Sequence, residues 1–318
     1  MGIPTYFNDD ASANPGLETG NMRLAAMLEN EVAAQLADLA SIRKSGALRF
    51  LGDVSGSGSD AVRMRFAAWG AKTPFVSANE YDDVDPTTLS TSTAVCTVAR
   101  SSLRWNISDL ASLTGFGSDL DPFSLGASLA ASCEARINEI ICATFASASA
   151  SAGVSAAALS VDDFLDAQFA LELKSNTGEI YAILHPKQVN HLKDSLRGES
   201  NNAIGYNPAT ADMIKFLGQG VVGTLLGCTV FKSDAVKLDG PSTNRVGMMM
   251  SAGGVAYAVG TPGDLVGSGG SIRPAGSPCL IEFQRDSSKV LTEIVGHLYA
   301  GAAISEQDRV CKIVSSAT

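Results

Sequence analysis

"GEIYAILHPKQVNHLKD" (178–194) changes its hydropathy period halfway along. Ile180 to Leu184 is a short apolar run that follows the turn signal "NTG" (176–178), the length of a buried strand. Pro186 suits the first turn of a helix, so His185 is expected at a strand-to-helix junction. The stretch holds two of the chain's three histidines, His185 and His191. Six helical residues turn the chain through about 600°, which sets His191 roughly 120° around from His185. An HExxH metal pair needs i, i+4 spacing on one face and a third ligand, and no carboxylate lies between these two. The stretch therefore reads as a joint, and neither histidine is assigned a catalytic or metal-binding role.

The wider composition fits a folded chain. Of 318 residues, 45% are apolar and 18% charged, which suits a packed core, and the length prior gives about two domains. The formal charge is −10, and no run of Lys and Arg provides a nucleic-acid footprint. Six cysteines, Cys96, Cys133, Cys142, Cys228, Cys279 and Cys311, sit in apolar runs without a CxxC pair. They read as buried thiols in a reducing compartment. The start "MGIPTYFNDD" lacks a signal-peptide pattern, and no run of about 18 uncharged apolar residues marks a membrane span.

Upstream, Asn21 is a candidate cap for a helix over about 22–44, with Leu24, Leu28, Val32, Leu36 and Leu39 on one stripe. "ALRFLGDVSGSGSDAVRMRF" (47–66) reads as two strands joined by a Gly/Ser tip, and "TAVCTVARSSLRWNI" (93–107) as a further pair. The polar stretch 79–92 lies between them, so these strands are expected to form an extended arm. Asp121 and Pro122 open a helix predicted over 122–146, roughly 37 Å long, with Leu125, Leu129, Cys133, Ile137 and Ile141 on one face. The Ala/Ser tract 146–158 is linker or tight-packing surface. Ser160 and Asp163 form a capping-box start for an amphipathic helix carrying Phe164, Ala167 and Leu171. Residues from about 203 to 270 form a Gly-rich α/β stretch, and 279–314 reads as long antiparallel strands turning at "DSS" and "SEQD".

Each candidate for chemistry has a plainer reading. "GSGSDA" (56–61) half-matches a dinucleotide loop, but the period-two segment after it is no helix, so a hairpin tip is expected. "GQGVVGTLLG" (218–227) lacks the GK[ST] of a P-loop, and "GSGGS" (267–271) is linker by composition. "SIRK" (Ser41 to Lys44) matches SxxK without its SDN and KTG partners. Glu80, Asp82, Asp83 and Asp85 lack the Gly and terminal Glu of an EF-hand loop and read as a solvated loop. Met248 to Met250 read as strand packing. No catalytic, cofactor-binding or metal site is assigned.

Three segments together resemble the major capsid proteins of tailed bacteriophages, which have the Hong Kong 97-type fold. They are "GEIYAILHPKQVNHLKD", "GTLLGCTVFKSDAV" (223–236) and "IEFQRDSSKVLTEIVGHLYAGAAISEQDRVCKIV" (281–314), and their order and separation match over about 180–314. The resemblance implies an α+β Hong Kong 97-like capsid fold. Its parts are an N-terminal arm with a helix (1–46), an extended β-hairpin E-loop region (47–107), and a first peripheral-domain part (108–202) with the spine helix 122–146. An axial domain (203–270) and peripheral return strands (271–318) complete it.

The function implied is a structural one, not enzymatic: an icosahedral shell of pentamers and hexamers enclosing double-stranded DNA, assembled in the bacterial cytoplasm, with no membrane and no cofactor. A separate scaffolding protein is expected because the chain retains Met1, along with a portal and possible cement proteins. Some relatives cross-link Lys to Asn; Lys72 is near the loop, but no pair is assigned. An encapsulin-type nanocompartment shell is the alternative, and a serine-type hydrolase using Ser41 and Lys44 or the histidines is the remote one.

Overall fold

The computed structural model describes residues 41–54, 59–67, 80, 91–108, 122–174, 178–198, 206–208, 221–238, 243–260, 271–272, 278–286, 288–289 and 291–317. Of the helix expected over 22–44, only the last turn, α1 (Ser41–Lys44), falls within them. Asp121, Lys72 and the acids Asp82, Asp83 and Asp85 lie outside.

Strands β1 (Leu48–Asp53), β4 (Ala99–Ser108), β11 (Val255–Val259), β12 (Ser271–Ile272), β13 (Cys279–Asp286) and β14 (Leu291–Ile304) form a 6-stranded sheet. The long strand β14 is its axis. Along one edge it pairs with β13, from Asp286↔Leu291 to Cys279↔Leu298. It also pairs with β4, from Leu291↔Ser108 to Ala300↔Ala99, and with β11, from Ala300↔Val259 to Ile304↔Val255. A second, 7-stranded sheet runs β5-β15-β10-β6-β9-β8-β7. Its members are β5 (Ser151–Ala152), β6 (Ile180–Leu184), β7 (Tyr206–Pro208), β8 (Val221–Leu225), β9 (Cys228–Lys232), β10 (Asn244–Ser251) and β15 (Val310–Ser316). Segments 203–270 and 271–318 each contribute strands to both sheets.

Pairing differs from the local reading at three places. β1 does not pair with β2 (Ala61–Ala67); it lies parallel to β11, with Leu48 opposite Val255. β2 pairs antiparallel with β3 (Thr91–Thr97) as a 2-stranded ribbon. The strands on either side of "GSGSDA" therefore do not pair as the expected hairpin, and residues 56–58 themselves lie outside the described residues. β3 and β4, which Val98 alone separates, also belong to different sheets. The last strand, β15, leaves the antiparallel run and joins the second sheet between β5 and β10.

The long helix α2 (Pro122–Ala143) stops short of the predicted end at 146, and a 3-10 turn over Phe145–Ser147 follows. The hydroxyls account for this. Thr144 Oγ1 donates to the Ile141 carbonyl at 2.7 Å and Ser147 Oγ to the Thr144 carbonyl at 2.6 Å, so side chains take acceptors at the helix end. Leu129, Cys133, Ile137 and Ile141 are buried as their spacing predicts. They pack against Cys279, Ile281, Ile294 and Leu298 of the first sheet and against Tyr181, Met248 and Met250 of the second.

The opposite face of the second sheet, with Ala182, Leu184 and Met249, is covered by α3 (Val161–Leu173) and α4 (Pro186–Gly198). β6 is buried at all five positions, as an apolar run covered on both faces must be. Met248 and Met250 thus serve one core and Met249 the other, the period-two alternation of a strand.

Candidate functional site

The two histidines of the opening stretch each hydrogen-bond to backbone at a helix start. His185 is the N-cap of α4: the Lys187 N–H donates to His185 Nδ1 at 3.1 Å, and the His185 N–H donates to Gln188 Oε1 at 3.0 Å. Gln188 reaches back to the N-cap N–H as the N3 residue of a capping box does, while the histidine ring accepts from the second helical N–H and not the third. Gln188, fully buried, also donates through Nε2 to the Arg245 and Ile313 carbonyls and to Ser315 Oγ. It bolts α4 onto β10 and β15, and Gly247 makes room, since a Cβ there would lie 2.8 Å from Gln188 Oε1. Burial and the nearby Arg245 charge hold the His185 ring below its ordinary pKa. His191 Nδ1 accepts from the Leu159 N–H at 3.4 Å, tying α4 to the entry of α3. The third histidine, His297 on β14, meets Ser102 Oγ through Nδ1 at 2.8 Å and Glu282 through Nε2 at 3.3 Å. The three are not brought together.

The other candidates resolve similarly. Between Ser41 and Lys44, Ile42 is buried and Arg43 is paired with Glu134. Leu226 and Gly227, both at positive φ, make the two-residue turn that joins β8 to β9, so the described part of "GQGVVGTLLG" is a β-hairpin. Of the acidic loop only Glu80 is described, and it is exposed. All six cysteines are buried and none is in a disulfide. Among the described residues no group of three His, Cys, Asp or Glu could hold a metal ion, and no helix is long and apolar enough to cross a membrane.

The described residues also carry exposed apolar surface. Ser160 caps α3 in the capping box expected from sequence, and Val161, Phe164, Ala167 and Leu171 are buried. The helix carries a second apolar stripe that the first one masked. Leu165, Phe169 and Leu173 step by four along the outer face and are 41%, 58% and 66% exposed. Asp162, Asp166 and Glu172 flank them, all exposed. The signal is legible in "VDDFLDAQFALEL" (161–173), where apolar residues occur on too many helical faces for a helix with one buried side.

The β2–β3 ribbon is the second such surface. Its inner face sets Met64 and Cys96 against Ala256 and Ala258. Its outer face pairs Arg63 with Val95 and Arg65 with Thr93, all exposed, Val95 by 48%. Elsewhere Phe50 is 54% exposed and rests on Tyr257, with ring centroids 5.1 Å apart. Contiguous exposed apolar side chains with polar rims mark association surfaces on a protein of otherwise ordinary polarity. The arrangement offers contact faces at two separated places.

No protein-family model matches the chain, and no curated protein matches it by sequence. Solved structures do match by fold. The capsid of the cyanophage P-SCSP1u is similar with TM-score 0.56 and 13% identity, over 86% of this chain and 87% of that one. The capsid of Ralstonia phage GP4 gives 0.55 and 11% over the same shares. The holo-SrpI encapsulin complex from Synechococcus elongatus gives 0.52 and 13%, over 85% of this chain and 84% of that one. The chain therefore has the mixed α+β capsid-type fold that phage capsid proteins and an encapsulin share.

Proposed function

We propose that this chain is the repeating subunit of an icosahedral shell, a phage major capsid protein that encloses packaged double-stranded DNA. The observation that carries the reading is a capsid-type fold matched over 86% of the chain. The outer stripe of α3 and the outer face of the β2–β3 ribbon support it, because both leave apolar side chains for a neighbouring copy to cover. Covering the exposed parts of Leu165, Phe169 and Leu173 is worth roughly 1 kcal/mol each. That is weak for an isolated dimer, but in a closed shell every subunit repeats the contact.

In this reading the ribbon lies in the extended E-loop region of 47–107, α2 is the spine helix, and 203–270 supplies the axial contacts around pentamers and hexamers. The strands of 271–318 return to complete the peripheral part. A separate scaffolding protein and a portal serve assembly in a bacterial cytoplasm, with cement proteins as further partners. The net charge of −10 leaves the packaged DNA loosely held. The test is expression alone and with the co-encoded scaffold, followed by sedimentation: shell-sized particles support the reading, and small discrete oligomers in both cases reject it.

The likeness to the encapsulin complex favours a second reading, a nanocompartment shell with protein cargo. Particle content separates the two: packaged DNA and a portal vertex for the phage reading, a recruited protein for the other.

A further inference from the structure

A cavity of about 400 Å³ opens between α2, β4 and the β13–β14 pair, and Cys133 and Cys279 both form part of its wall. Cys133 comes from α2 and Cys279 from the first residue of β13, 146 positions apart in the chain. Leu129, one turn before Cys133, and Gly296, opposite Ile281 on β14, close the floor. A Cβ on Gly296 would lie 3.0 Å from Leu129 Cδ1 and 3.8 Å from Cys279 Sγ, so the bare glycine keeps helix and strand close there. The two thiols are in hydrogen-bond contact. Of the other four cysteines, Cys96 belongs to the ribbon core, Cys228 and Cys311 lie on the far side of the second sheet, and Cys142 shares the main core but is not part of the cavity wall.

We propose that Cys133 and Cys279 form a reversible disulfide that staples α2 to β13 when the protein meets an oxidising small-molecule disulfide. The hydrogen bond to Cys279, then burial, pushes the Cys133 thiol far up, so it stays protonated and donates. The same bond lowers the Cys279 thiol against the effect of burial.

Cys279 thiolate attacks one sulfur of the reagent RSSR. The S–S bond breaks, and the departing RS⁻ takes up the proton that Cys279 released, giving the first RSH. Cys133 then gives its proton to solvent in the cavity and attacks the Cys279 sulfur of the mixed disulfide, releasing the second thiol. Two protein thiols lose two electrons and two protons, and one RSSR becomes two RSH. That the protein moves from a reducing cytoplasm to an oxidising exterior rests on the proposed shell function. The thiol chemistry itself does not, because both cysteines belong to one subunit.

The test treats the full-length subunit, unassembled and assembled in parallel, with hydroxyethyl disulfide and maps its peptides without reduction. The expected result is a Cys133–Cys279 linked peptide, a mass lower by about 2 Da, and a thermal midpoint raised by about 5 °C that dithiothreitol reverses. The single substitutions Cys133→Ala and Cys279→Ala should each abolish the shift; if either fails to fold, the wild-type peptide map decides. A stable reagent adduct on either cysteine, a different pairing, or six retained thiols overturns the proposal. A linked peptide from a subunit that never assembles upholds it while rejecting the shell.

Discussion

Arg43 reaches Glu134 on α2 with two nitrogens, Nη2 at 2.5 Å and Nε at 3.1 Å from Oε2. The two side chains are only 15% and 4% exposed. The pair joins the segment that leads out of the N-terminal region to the long helix at the centre of the main core. Removing one partner strands the other charge where water cannot reach it. Arg43→Ala should cost about 3 kcal/mol or more in unfolding free energy, whereas replacing both residues by apolar ones of similar size should cost far less. Denaturant titration of the single and double variants measures the difference.

Phe164 and Phe169 occupy one helix with opposite fates, 0% and 58% exposed. Phe164→Ala should lower stability by about 3–5 kcal/mol and expose the core beneath α3. Phe169→Glu should leave the unfolding midpoint of the free subunit nearly unchanged and reduce assembly. Calorimetry on the subunit and sedimentation of the assembly reaction separate the two outcomes. Equal destabilisation by both variants would remove the outer stripe from the assembly account.

Local grammar in the sequence carried far. The capping box at Ser160 and Asp163, the helix start at Pro186, the buried run of β6 and the stripe of α2 all form where their spacing places them. Partner choice was not legible. Alternation in 47–66 shows which side chains share a face, but nothing local tells Leu48 that its neighbour is Val255. The same blindness hid the transfer of β15 to the second sheet. The outer stripe of α3 is masked in the sequence because Phe164, Ala167 and Leu171 already satisfy a one-sided helix. The capping role of His185 was masked by its residue type, although Gln188 three positions later was the clue.

Acid should loosen the α4 junction. Burial and Arg245 make the folded His185 ring a weaker base than its unfolded form, whose value is near 6.5. Below that value the unfolded chain takes the proton first, so stability is complete above it and falls as pH drops toward the folded value. Protonating Nδ1 also removes the acceptor for the Lys187 N–H. Asparagine keeps an N-cap without titrating. Unfolding free energies from pH 7.5 to 5 should therefore decline more steeply for the wild type than for His185→Asn; parallel profiles would contradict this.

Gly301 is fixed by crowding. A Cβ there would stand 2.1 Å from the Thr97 carbonyl oxygen, where the chain passes over β14 on its way from β3 to β4. Gly301→Ala should force that crossing apart at a cost of about 3 kcal/mol. Gly52 has the contrary character, with φ at +102° and no atom within 4 Å of a Cβ, so Gly52→Ala should cost only about 1 kcal/mol through its backbone. Thermal unfolding of the two alanine variants ranks them.

The central claim is that copies of this chain close into a shell. Electron microscopy of the purified full-length protein, expressed with and without the scaffolding protein proposed for it, tests it most directly. The account predicts uniform closed particles in at least one of the two preparations, and their loss in Phe169→Glu. Monomers or small open oligomers in both, from protein that is folded by calorimetry, would contradict it.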